Sequence, residues 1–169
     1  MRDNIIYVLD AAALFSSYQL LLPHDVTAVT SSSILAEVKD EDSRRSLETS
    51  LAAGKLLIID PGEELIREAV SIADELGELS KLSKADLSLI ALVIKFVREG
   101  ASVTVVTDDY SVQNISKYLG VRILGIKRKG IDKVIKYLVV CPICGYVGNH
   151  IYCPRCGSKM VRKPITASP

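Results

Sequence analysis

The chain has 169 residues, 49% hydrophobic and 24% charged, which suits one medium domain with a small appendage and excludes wholesale disorder. No run approaches about 18 uninterrupted apolar residues, so a transmembrane helix is excluded, and the start lacks the apolar block of a secretory signal; a cytoplasmic protein is expected. The net charge of +1 hides an asymmetry: residues 1–119 carry −8 and residues 120–169 carry +9, so the back part suits a polyanion, nucleic acid first, unless it is a solvated basic tail.

In chain order, Ile5 to Leu9 is a compact apolar run and reads as a buried strand. Ala11 to Leu22 has helical character and stops at Pro23, and Val26 to Val29 is a second short strand. Ser31, Ser32 and Ser33 offer N-caps for a helix carrying Ile34, Leu35 and Val38. A helix from Asp42 to Ala53 ends at Gly54, and Leu56 to Ile59 is another buried strand. Apolar residues at Leu65, Ile66, Ala69, Val70, Ala73 and Leu76 keep helical spacing. Ser83 and Asp86 form a capping-box pattern that opens a long helix to Arg98. Val103 to Val106 is a strand, Asp109 to Leu119 a helix closed by Gly120, and Val121 to Ile126 a final strand. Alternation of this kind predicts a mostly parallel sheet with helices on both faces.

All four cysteines fall within sixteen residues, as Cys141-Pro142-Ile143-Cys144-Gly145 and Cys153-Pro154-Arg155-Cys156-Gly157, with eight residues between the pairs. Each C-x-x-C turn sets two thiolates on one corner of a tetrahedron, so two facing turns make a closed, structural zinc site. Disulfides and a redox pair are the alternatives; the first suits a cytoplasmic chain poorly and the second needs only one pair. A segment this short buries too little to fold alone, so the metal supplies the folding free energy. His150, between the pairs, reads as a loop histidine beside a full shell.

In open parallel sheets ligands bind beyond the C-terminal strand ends, and acids stand there. Asp10 ends the first strand, Asp108 and Asp109 follow the strand from Val103, Glu37 follows the second strand, and Asp86 opens the long helix. Singly, each is explained as a cap or a surface residue. Together they form a set of carboxylates whose mutual repulsion a Mg²⁺ or Mn²⁺ ion relieves, and such an ion activates water at a phosphodiester. The front half holds no cysteine, no P-loop and no G-x-G-x-x-G, which argues against thiol catalysis, nucleotide-dependent phosphoryl transfer and dinucleotide binding.

The front half resembles the PIN-domain nucleases. The matching pieces are Tyr7-Val8-Leu9-Asp10, Ile34-Leu35-Ala36-Glu37-Val38, Leu82-Ser83-Lys84-Ala85-Asp86, and Val106-Thr107-Asp108-Asp109-Tyr110 followed by Gln113-Asn114. The resemblance implies that Asp10, Glu37, Asp86 and Asp108 coordinate Mg²⁺ or Mn²⁺ for RNA cleavage, with Asp109 adjacent and able to substitute, and with Thr107 hydrogen-bonding near the metal. A PIN domain followed by a four-cysteine ribbon is similar to archaeal members of the NIN-one-binding protein family. That likeness implies an α/β fold, a PIN-like mostly parallel sheet flanked by helices and followed by a small zinc ribbon. The expected divisions are residues 1–126 for the nuclease domain, 127–138 for a basic linker and 139–163 for the ribbon. It further implies an endoribonuclease that forms the mature 3′ end of small-subunit rRNA, with the assembling small ribosomal subunit and a KH-domain assembly factor as candidate partners. Lys127, Arg128, Lys129, Lys133, Lys136, Arg155, Lys159, Arg162 and Lys163 are the basic residues expected to hold the RNA backbone. Tyr146 and Tyr152 either stack on bases or pack within the ribbon. A PIN-type toxin ribonuclease and a non-enzymatic RNA-binding module remain as competing readings.

Overall fold

Five short apolar runs become the strands β1 (Ile5–Leu9), β2 (Thr27–Thr30), β3 (Leu56–Ile58), β4 (Ser102–Val106) and β5 (Arg122–Leu124) in a computed structural model that describes residues 5–165. Residues 1–4 of the expected nuclease domain lie outside the described residues. All pairings in this sheet are parallel, in the order β3-β2-β1-β4-β5. The order reverses between β1 and β4, where the crevice of a doubly wound sheet opens.

Among the described residues the α-helices are α1 (Ala11–Phe15), α2 (Ser32–Leu35), α3 (Glu41–Ala52), α4 (Glu63–Glu75), α5 (Lys84–Arg98) and α6 (Tyr110–Tyr118). Helix α5 is the centre of the packing. It buries Leu89, Ile90, Ala91, Leu92, Val93, Ile94 and Phe96 in one unbroken apolar run apart from Lys95. A helix apolar nearly all round must be covered on most sides, and α5 packs against β1, β4, α2, α4 and α6.

Three expected elements differ. The helix expected over residues 11–22 breaks after Phe15: the Ser16 hydroxyl donates back to the Ala13 carbonyl at 2.9 Å, and Ser17 takes a left-handed φ of 54°. The chain resumes as a 3-10 turn over Tyr18–Leu20. Such local serine bonds compete with helix continuation. Helix α2 stops at Leu35, and the Glu37 and Val38 amides bond back only to Ile34 and Leu35, so Val38 is buried from a turn rather than from a helix. Strand β3 is an edge strand, and Leu57 and Ile58 are 44% and 40% exposed instead of buried.

The last two strands, β6 (Lys136–Val140) and β7 (Val161–Ile165), pair antiparallel and carry the cysteine turns between them. Strand β6 begins within the segment read as a linker, and that segment is tied at several points to the sheet domain. The Ile135 amide donates to Asn114 Oδ1 at 2.8 Å, and Asn114 Nδ2 donates to the Ile135 carbonyl at 2.6 Å. The Tyr137 amide donates to the Leu76 carbonyl at 3.0 Å. Gly77 sits so close to Tyr137 that an added Cβ would lie 2.4 Å from its carbonyl oxygen. At the centre is Glu78, 2% exposed. It accepts from Asn114 Nδ2 at 2.7 Å and from the Arg162 guanidinium at 2.5 Å, while Arg162 Nε donates to the Gly77 carbonyl and its guanidinium lies 3.4 Å from the centre of the Tyr137 ring.

Removing one partner of a buried ion pair strands the other charge, so Glu78→Ala is expected to destabilise the chain by about 3 kcal/mol or more. Denaturant unfolding together with limited proteolysis checks this, with the new cleavage falling between residues 126 and 140.

Candidate active site

Asp10 follows β1 at the switch point and is 8% exposed. Its Oδ1 accepts from the Ala11 amide at 2.6 Å as the N-cap of α1, and its Oδ2 accepts from the Thr107 hydroxyl at 2.6 Å. Thr107 follows β4, and its hydroxyl also accepts from the Asp109 amide at 3.0 Å. The adjacent strand ends are thus joined through one carboxylate. Burial pushes the Asp10 carboxyl above its ordinary value; the hydrogen bonds from Thr107 and Ala11 oppose the rise, and the nearby charges of Asp86 and Asp109 add to it.

Asp86 stands in the first turn of α5. It completes the capping box: its carboxylate accepts from the Ser83 amide at 2.7 Å while its own amide donates to the Ser83 hydroxyl. Asp109 caps α6, accepting from the Ser111 and Val112 amides at 2.7 and 3.0 Å. Glu37 is exposed in the turn after α2. A buried hydroxyl pair that the sequence reading overlooked sets α2 against α5. Ser31, the N-cap of α2, meets Ser88 at 2.6 Å, and Ser88 donates to the Ala85 carbonyl. The pair fixes the spacing between the turn bearing Glu37 and the helix bearing Asp86. Its signal in the sequence is a serine two positions after Asp86, at the head of the apolar run of α5.

Asp108 is placed differently from the other acids. Its oxygens accept from the amides of Ile126, Lys127 and Arg128, in the loop after β5, at 2.8 to 3.3 Å. Desolvation works to raise its carboxyl, but the amides of Lys127, Ile126 and Arg128 and the Arg128 charge outweigh it and hold the group below its ordinary value.

Asp10 meets the requirement for a divalent cation by chemistry: a buried carboxylate with two further acids felt across the crevice gains from a hard positive ion. Among the described residues, however, no three carboxylates bring ligand atoms within 4.8 Å of one another; the four cysteines alone do. The acids stand as caps around a crevice rather than as a closed cage.

The cysteine turns face each other, with Sγ separations of 3.4 Å for Cys141 and Cys156 and 3.5 Å for Cys144 and Cys153. A tetrahedral ion with bonds of about 2.3 Å holds its sulfurs about 3.8 Å apart, so the set fits zinc. The Ser158 hydroxyl and amide bring the Cys156 thiol down to about 6. For Cys144 the Tyr146 amide works downward, but its contact with Cys153 and burial push it up to about 11. Four thiols this close do not all ionise without a cation among them.

Of the basic residues, Lys127, Arg128, Lys129, Lys133, Arg155, Lys159 and Lys163 are exposed. Arg162, expected on RNA, is instead held by Glu78 and Gly77, because it closes the seam between the sheet domain and the ribbon. Lys136 lies 3.6 Å from Glu75 at the same seam. Tyr146 packs against the ribbon core under the Arg155 guanidinium, whereas Tyr152 is 63% exposed. No helix among the described residues is long and apolar enough to cross a membrane.

Residues 7–96 match the family model described as PIN domain of ribonuclease. The chain is 38% identical over 138 residues to Endoribonuclease Nob1 of Pyrococcus abyssi, covering 79% of this chain and 82% of that protein. It is 33% identical over 168 residues to Endoribonuclease Nob1 of Methanothermobacter thermautotrophicus, covering 95% and 96%. Ribonuclease VapC1 of Thermoplasma acidophilum is 31% identical over 161 residues, covering 94% and 78%.

Two measurements check the centres. In metal-free protein the raised Asp10 group means that the folded state holds its proton more tightly than the unfolded state. Stability should therefore fall as pH rises from about 3.8 through the raised value, relative to Asp10→Asn, which lacks that group. Thermal melts should show the parent losing stability relative to the variant as pH rises from about 3.8 without metal, and added Mn²⁺ should stabilise only the parent. A strong chelator should make the four thiols reactive and open the ribbon to protease while the sheet domain keeps its melting transition.

Proposed function

This chain belongs to the Nob1 family of PIN-domain endoribonucleases, and we propose that it cuts precursor small-subunit rRNA to form the mature 3′ end. The observation that carries the reading is the buried carboxylate of Asp10 at the sheet's switch point, with the charges of Asp86 and Asp109 reaching it, beside a loop carrying Lys127, Arg128 and Lys129.

The acids are read as the holders of Mg²⁺ or Mn²⁺, with Asp10, Asp86 and Asp109 as the main set and Glu37 entering from the turn after α2. Oxygen donors of this kind select hard cations. A bound ion supplies an activated water and steadies the departing oxygen of the phosphodiester. The protein's own part is orientation. Thr107 holds one oxygen of Asp10 and the α1 terminus holds the other, so the carboxylate keeps its aim when a polyanion arrives. The basic residues offset the repulsion between the acids and the RNA backbone. The four thiolates are read as a structural zinc centre, closed to substrate. Residues 1–126 then form the nuclease unit and residues 139–163 the ribbon, with the segment between them docked along α6. The partners in this reading are the assembling small subunit and its precursor rRNA.

The similarity to VapC1 favours a second reading, a toxin-type ribonuclease. RNA spanning the 3′ end of precursor small-subunit rRNA, incubated with the protein and Mn²⁺, separates the two. A cut at one position, lost in Asp10→Asn, is the expected result. Cuts scattered over unrelated RNA favour the toxin reading, and bound but uncut RNA favours a non-enzymatic module.

A further inference from the structure

We propose that Asp108 is a positioning residue for RNA rather than a metal ligand: it fastens the loop bearing Lys127, Arg128 and Lys129 beside the acids, so that these side chains meet the phosphates flanking the cut. The inference rests on the nuclease reading above and concerns how the substrate backbone reaches that site.

The neighbours Asp108 and Asp109 divide two tasks. Asp109 caps α6 and its charge reaches Asp10. Asp108 turns to the loop after β5, where Oδ1 takes the Ile126 amide at 2.8 Å, the Lys127 amide at 3.1 Å and the Arg128 amide at 3.3 Å, and Oδ2 takes Lys127 again at 3.1 Å. Three successive amides converging on one carboxylate form an anion-holding nest, and here the anion belongs to the chain. Oδ1 carries three of these bonds and Oδ2 shares the Lys127 amide, so the loop backbone sets the direction in which this carboxylate faces.

The loop is shaped for this grip. Gly125 lets it curl back, since an added Cβ would lie 1.8 Å from the Arg128 carbonyl oxygen and 3.3 Å from Asp108 Oδ1. The far end is held as well. Gln113 on α6 accepts from the Ile131 amide at 3.2 Å through Oε1, and its Nε2 donates to the Thr107 carbonyl at 2.8 Å. The loop is thus tied at both ends to the corner between β4 and α6 that carries Thr107 and Asp109. The Arg128 guanidinium lies 5.6 Å from the centre of the Tyr110 ring, one residue beyond Asp109. Lys127, Arg128 and Lys129 are exposed, and every amide bond described for Lys127 and Arg128 leaves the side chain free to meet a phosphate.

Charge alone and positioning predict opposite results, which makes the test decisive. Asp108→Asn removes a negative charge near the RNA path, so by charge alone it tightens RNA binding. Positioning requires the reverse. RNA affinity measured without added divalent cation should fall about tenfold, with a salt slope shallower by about one phosphate contact. Under turnover, KM should rise while kcat changes little. Mn²⁺ affinity should stay within about twofold of the parent, whereas Asp109→Asn and Asp10→Asn weaken it. Gly125→Ala should reproduce the Asp108→Asn pattern from a different atom, and Lys127→Ala should lose most of its own effect in the Asp108→Asn background. Loss of Mn²⁺ binding in Asp108→Asn as severe as in Asp10→Asn overturns the proposal, as does RNA binding at or above the parent's affinity. If Asp10→Asn binds Mn²⁺ like the parent, the metal reading fails, and the RNA-affinity comparison still decides the role of Asp108.

Discussion

Burying a carboxylate is unfavourable, and this chain buries Asp10 where its central strands end. The hydrogen bond from Thr107 and the amide of Ala11 offset part of that penalty, and both come from the adjoining strand end or helix start. The register of β1 against β4, which pairs Leu9 with Val106, is what brings Thr107 opposite Asp10. A one-residue slip would exchange the faces of every side chain on β1 and move Asp10 away from its partner. The apolar packing of Val8, Leu9, Val105 and Val106, buried on the two faces of the sheet, therefore underlies the chemistry at the crevice. Strain left at such a site is typical of a group kept ready for a ligand rather than optimised for stability.

The second polar centre, around Glu78, serves the assembly of the two parts. A ribbon with Cys141, Cys153 and Met160 as its buried core has little apolar surface to offer a neighbour. Its attachment is accordingly polar: Arg162 spans Gly77 and Glu78, and Asn114 reaches Glu78 from the other side. Such contacts have directional demands that apolar packing lacks, so they specify one orientation. Neighbouring residues of α6 thereby hold different things, Gln113 the basic loop and Asn114 the start of the ribbon.

Much of the fold was legible in the sequence because it rests on local signals. The capping box of Ser83 and Asp86, the cap at Asp109 and the glycine stops all act within a few residues of one another. The break at Ser17 and the brevity of α2 were not legible, since both depend on which hydroxyl or carbonyl a single backbone group finds. The cysteine spacing gave its centre directly, because two turns of this kind permit few arrangements. The acids were legible as a set, but their division was not. Asp108 and Asp109 are identical in type and adjacent, and only the path of a loop 18 residues further on decides which one receives that loop's amides, while the other caps α6. Glu78 and Arg162 stand 84 residues apart, and no local pattern links an acid in one turn to one of many basic residues near the end of the chain.

The docking of the ribbon has a consequence for the entropy of binding. Two surfaces joined by a flexible tether must each be ordered as a long ligand engages them, and the second contact is weakened by the freedom it removes. Here the tether itself is hydrogen-bonded along α6 and at Leu76, so the exposed cations of the ribbon and those near the crevice stand on supports already joined to each other. A ligand long enough to reach both meets them on connected supports, and its second contact costs chiefly the ordering of the side chains that make it.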